Sequence, residues 1–210
     1  MEQKASVFRS LYHHFGILEL NEQLRQAVRS FPGAQEGDHV LVYGYIDRSA
    51  GLTLEVLATG HLDGQRMSFF NLPDDCRLFF RFSAVSECGF LRLEQEEKAL
   101  RERFAQALER LHDYDADQKL EALRDLRLLD PHRHPAFPDD VLVFLTGDGV
   151  QPEGCWLRLQ ERQGDFVLGS LLNEPDQNFI CHKGDVLLFR LPARPQDVLV
   201  CPVDLDGSFS

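Results

Sequence analysis

The chain has 210 residues, 43% of them hydrophobic and 27% charged, enough to bury the core of one large domain or two small ones. Its formal net charge is −12, with 22 basic residues scattered among 34 acidic ones, which argues against a phosphate-neutralising surface and so against nucleic acid as a partner. No stretch approaches the about 18 consecutive apolar residues of a membrane helix, so no membrane partner is expected.

The start of the chain, Met1 to Ser6, runs into a polar segment with His13 and His14 and shows no apolar h-region, which predicts a cytoplasmic protein. Cys76, Cys88, Cys155, Cys181 and Cys201 are odd in number and form no Cys-x-x-Cys pair. This usage predicts reduced thiols, several of them core fillers in strands, and no structural zinc.

Residues 5–31 read as helical, with one stripe of Phe8, Leu11, Tyr12 and Phe15 and another of Leu24, Ala27, Val28 and Phe31. Gly16 is expected to break the run, Asn21 to cap the second helix, and Pro32-Gly33 to stop it. From His39 the pattern changes to strands: 39–46, 52–59, 65–70 and 77–82, with a hairpin signal at Asp63-Gly64 and a turn at Asn71-Leu72-Pro73-Asp74. Residues 91–129 return to helical spacing through Leu93, Leu100, Phe104, Leu108 and Leu111, and Asp115 with Gln118 resembles a capping box for a second helix. Three prolines then make Pro131 to Asp140 a stiff extended connector. Strands resume at 141–145, 155–160, 166–172 and 186–191, with Val198 to Cys201 as a last strand and Asp204 to Ser210 expected to fray.

The two strand-rich segments echo each other about a hundred residues apart. Val40 to Tyr43 matches Val141 to Phe144, Leu54 falls opposite Trp156, and Ser68 opposite Ser170. Asn71-Leu72-Pro73-Asp74 falls opposite Asn173-Glu174-Pro175-Asp176, and Leu78 to Arg81 matches Leu187 to Arg190. The expectation is an α+β protein of two related halves, residues 1–90 and 91–210. Each half is a helical segment followed by a small antiparallel, barrel-like sheet produced by internal duplication. Shared turn chemistry in two unrelated meanders gives the same echo.

The Asn173-Glu174-Pro175 turn has two readings. Asn takes Asx-turn or left-handed geometry and Pro fixes the bend, so the turn can be a corner and nothing more. It can also present the Asn173 amide and Glu174 carboxylate at a sheet edge. A strand bearing Trp156, a turn carrying Gly169, Leu172, Asn173 and Pro175, and Gly184-Asp185 opening an apolar strand together resemble a group of small bacterial β-rich domains of unknown function, over roughly residues 139–191. Some relatives in that group are immunity proteins of toxin–immunity systems. The resemblance implies a fold type and no established reaction.

His132 and His134 could hold a metal with Asp139 or Asp140, and serve equally well as a polar connector. Cys181 and His182 are adjacent, so on a strand they face opposite ways and cannot exchange a proton. No Gly-x-Ser-x-Gly elbow, Walker loop or dinucleotide fingerprint is present. The reading is therefore no catalytic residue, no metal and no cofactor, with Trp156, Asn173, Glu174, Pro175, Asp139 and Asp140 as candidate contacts. The favoured expectation is a non-enzymatic, immunity-like module with an acidic face for a basic protein partner. The other is a small-molecule binder or enzyme with its site between the halves.

Overall fold

A computed structural model describes residues 7–32, 34–63, 66–73 and 76–203, so the expectations at Met1 to Ser6, Gly33, Gly64, Asp74 and Asp204 to Ser210 lie outside the described residues. The protein mixes helix with a larger share of strand, arranged in two sheets. It divides into two compact units, Val7–Asp115 and a second that is described from Ala116 through residue 203.

The first unit contains α1 (Val7–Leu11), β1 (Phe15–Glu19), α2 (Glu22–Arg29), β2 (His39–Asp47), β3 (Gly51–Asp63), β4 (Arg66–Asn71), β5 (Leu78–Arg81), α3 (Phe82–Val85), β6 (Phe90–Arg92), α4 (Glu97–Arg103) and α5 (Ala105–Glu109). Its sheet runs β4-β3-β2-β1-β6, and β5 pairs with β3 beyond the end of β4. Residues 15–19 are a strand, not part of a helix as their spacing suggested. Gly16 is the reason: with no side chain it lets the Phe90 ring lie against the backbone, so β1 pairs with β6 on one side and β2 on the other. Asn21 does cap α2, its Oδ1 accepting from the Leu24 N–H at 3.0 Å.

The segment expected to open a second half at residue 91 instead completes the first unit. β6 joins the first sheet, and Leu100, Phe104 and Leu111 bury against Phe15, Leu41, Tyr43, Tyr45 and Leu57. The division therefore falls after Asp115 and not at residue 90.

The second unit contains α6 (Gln118–Arg124), a 3-10 segment (Arg127–His132), β7 (Asp140–Gly147), β8 (Val150–Gln163), β9 (Phe166–Leu171), β10 (Val186–Arg190) and β11 (Val200–Pro202). Asp117, two residues past the expected cap, closes the N-terminus of α6 by accepting from the Leu120 N–H at 2.9 Å. The sheet order is β10-β9-β8-β7-β11, with β11 parallel to β7. The sheet curls until its two end strands meet, where the Cys201 thiol donates to the Leu188 carbonyl at 3.3 Å. Val141, Val143, Leu145, Cys155, Leu157, Leu159, Val167 and Phe189 fill the interior. Leu120, Leu123 and Leu129 add to that core from the helical segment.

The proline-rich connector is not extended. It enters through the 3-10 segment and is knotted around Arg133, whose guanidinium is buried. That group donates to the carbonyls of Leu123 and Pro138, each at 2.6 Å, and pairs with Asp130 at 3.2 Å. These bonds satisfy carbonyls that a buried loop would otherwise leave unpaired.

Candidate functional site

The structure joins Trp156 to Asn173 and holds Asp139 and Asp140 in ion pairs of their own. Asp139 and Asp140 are consumed by ion pairs and do not form a contact surface. Alternation along the strand sends them to opposite faces. Asp139 receives Arg124 through two bonds of 2.9 and 2.8 Å, with both side chains buried. Asp140 receives Arg158, its cross-strand partner on β8, at 2.8 and 3.0 Å.

His134 is a turn former. Its Nδ1 accepts from the N–H groups of Ala136 and Phe137 at 3.2 Å, and its ring meets that of Trp156 edge-on at 5.1 Å. His132 lies partly buried, and that burial holds its pKa below the ordinary value. Among the described residues, no group of three or more His, Cys, Asp or Glu is placed to hold a metal ion.

Asn173 extends the ladder with its side chain. Its Oδ1 accepts from the Trp156 N–H at 2.8 Å, while the Leu172 N–H donates to the Trp156 carbonyl at 2.8 Å. Its Nδ2 also reaches the Cys155 sulfur at 3.4 Å. Beyond it, Glu174 fastens the long β9–β10 connection, accepting from His182 Nδ1 at 2.7 Å and from the Lys183 N–H at 2.9 Å. These bonds hold the Glu174 carboxyl below the usual range and raise the His182 imidazole. Asp185 accepts from the His182 N–H at 2.8 Å, and Gly184 makes the left-handed bend at φ 99°. Phe179 and Cys181 anchor the loop in the core, so Cys181 and the exposed His182 do face apart. The candidate residues Asn173, Glu174 and Pro175 thus belong to a latch.

Two surface features of this unit remain. At the end where β7 turns into β8 and β9 leaves for β10, Asp148, Glu153, Glu174, Asp176 and Asp185 face only two basic groups, His182 and Lys183, among the described residues of those connections. Glu153 ties the two connections together by accepting from the N–H groups of Asp176 at 2.7 Å and Gln177 at 3.0 Å. On the outer wall, Leu142 lies opposite Trp156, Phe144 opposite Gly154, and Val200 beside Phe144. All of these apolar side chains are half-buried or exposed, as is neighbouring Val198.

The first unit holds a cleft of about 270 Å³ that the sequence reading missed, lined by His13, Tyr43, Tyr45, Arg101, Leu108, Leu111, His112 and Asp115 among others. His13 is, among the described residues, the one non-glycine with positive φ, at 59°. The bend is forced where the α1–β1 turn crosses β2 at Gly44, where any Cβ would overlap the Leu11 carbonyl. Its ring stacks on Tyr12 at 3.9 Å. Asp115 joins the two histidines, 2.7 Å from His112 Nδ1 and 3.9 Å from His13 Nε2, and raises the His112 pKa. Arg101 donates to the His13 carbonyl at 3.0 Å and to the Tyr43 hydroxyl at 3.4 Å, while burial raises the Tyr43 phenol. Gly44 in an otherwise apolar strand was the available signal, since such glycines mark close backbone approach.

No protein-family model, no curated protein and no solved structure matches the chain, so its fold and sites rest on its own geometry.

Proposed function

We propose that the chain is a non-enzymatic protein-binding module, immunity-like in role, whose second unit receives a basic protein across its outer wall and acidic end. The observation that carries this reading is a mismatch in β7. A continuous apolar run is the pattern of a strand buried on both faces. β2 has such a run and is buried throughout its middle, whereas β7 alternates and leaves Leu142 and Phe144 incompletely covered. A patch of Leu142, Phe144, Trp156, Val198 and Val200 marks an interaction surface, and the carboxylates at the barrel end supply charge complementarity for a basic partner. The resemblance to β-rich domains with immunity-type relatives supports the same role. Among the described residues no helix is long and apolar enough to cross a membrane. A cytoplasmic setting is part of the proposal.

Duplication belongs to the same proposal. Each unit contains a three-strand antiparallel meander, β2-β3-β4 and β7-β8-β9, with the middle strand the longest. We infer descent from one such meander.

The test is affinity capture from cells that carry the gene, comparing the native chain with a Phe144→Glu, Trp156→Ala variant and a Glu174→Lys, Asp176→Lys variant. The expected result is a basic partner held by the native chain, weakened by both variants, and released as salt approaches about 1 M, where the screening length falls to about 3 Å. With the partner purified, fluorescence of Trp156, the one tryptophan, should change on binding. A partner set unchanged by both variants overturns the reading.

A further inference from the structure

The cleft in Val7–Asp115 plays no part in that reading and carries a separate one. We propose that it binds a small organic carboxylate with an apolar body.

The lining defines the chemistry. Leu108, Leu111 and Ala105 supply an aliphatic wall, and Tyr43, Tyr45 and His13 supply aromatic rings. Arg101 is the permanently charged cation in the lining. Its Nε and Nη2 edge is taken by Glu97 at 3.1 and 2.7 Å, but Glu97 does not line the cleft. Its Nη1 points to the Tyr43 hydroxyl, which accepts from it and so keeps its own proton to donate. Nη1 and the Tyr43 hydroxyl make a pair of donors suited to one carboxylate.

The remaining charges set limits on the ligand. Asp115 is matched by His112, and Glu109 sits 3.5 Å from the other nitrogen of that ring. A dianion meets two carboxylates across a small space, which disfavours a phosphate ester relative to a carboxylate. An organic cation would have to displace His112 from Asp115 and approach Arg101. The volume of about 270 Å³ lies just below the range of about 300–1,000 Å³ for drug-sized ligands, so the occupant is small. The left-handed His13 fits this assignment, because strained backbone gathers at ligand sites where surrounding structure holds it.

The experiment titrates the full chain with benzoate, butyrate, phenyl phosphate and benzylamine, followed by two-dimensional amide NMR. Benzoate or butyrate should bind, with shifts centred on Tyr43, Leu108 and Leu111, and phenyl phosphate and benzylamine should bind at least about tenfold more weakly. Tyr43→Phe, which keeps the ring and its packing on Phe15, should weaken the carboxylate about tenfold by removing one charge-assisted hydrogen bond. Arg101→Gln should weaken it further. The proposal is overturned if neither carboxylate binds at millimolar concentration, if benzylamine or phenyl phosphate binds as well, or if Tyr43→Phe, shown folded by its amide spectrum, binds unchanged.

Discussion

The two sheets reach corners that look alike in sequence and differ in structure. Leu72 donates to the Leu57 carbonyl and Leu172 to the Trp156 carbonyl, so these leucines are the backbone counterparts. Asn71, which the sequence pairs with Asn173, is instead the last residue of β4, opposite Ala58, with its side chain turned out to Arg103 at 2.6 Å. The position that answers to Asn173 is Pro73, which has no side-chain group to prolong a ladder. Past Pro73 the next described strand, β5, pairs with β3. From Asn173 the chain makes a pinned excursion before β10 pairs with β9.

The largest expected effect tests how differently the two units hold charge. Arg124 and Asp139 are both buried, whereas Glu55 is buried against a partly exposed Arg77. Arg124→Met leaves an uncompensated buried carboxylate and should cost about 3–5 kcal/mol, read from the denaturation midpoint by Trp156 fluorescence. Joint replacement with Asp139→Leu should restore most of that loss. Arg77→Met should cost less, about 1–3 kcal/mol, because burial already raises the Glu55 pKa and protonation can relieve its charge. Equal losses from the two arginine variants would erase the contrast.

The next effect compares the corners directly. Asn173→Ala orphans the Trp156 N–H and should cost about 1–3 kcal/mol, whereas Asn71→Ala, losing a solvent-side contact, should stay within about 0.5 kcal/mol. The smallest effect concerns the latch. The depressed Glu174 carboxyl stabilises above the ordinary carboxylate range and loses this as pH falls through its folded value. The raised His182 stabilises below the ordinary histidine value and loses this as pH rises through its folded value. Hydrogen-exchange protection of residues 174–185 should therefore peak between about pH 4.3 and 6.5 and decline on both sides. Glu174→Gln should flatten that peak.

Most of the strand pattern could be read from the chain, because turn residues and apolar runs mark both meanders locally. Three features could not. β1 depends on Phe90 lying over Gly16, a partner far along the sequence. The closure of the second sheet depends on β11 pairing in parallel with β7, which hairpin signals do not encode. The knot at Arg133 is invisible because a histidine-flanked arginine between prolines reads as a solvated linker. Of the candidate site, Trp156 lies half-buried on the outer wall and Glu174 lies at the acidic end. Asp139 and Asp140 are taken up by arginine partners, Arg124 and Arg158, that lie on α6 and β8, outside the connector whose spacing drew attention. The cleft was missed because His13, Tyr43, Arg101 and Asp115 come from four separate places in the chain.

The curled second sheet also sorts the five thiols. Cys155, Cys181 and Cys201 are sealed inside it, with burial pushing Cys201 up to about 12, while Cys76 and Cys88 of the first unit are partly accessible. Reaction with a thiol reagent should therefore run on two clocks. A prompt phase counts the two outer sulfurs, and a slow phase advances only as the second unit opens. The chain carries a built-in timer for the breathing of one of its own parts.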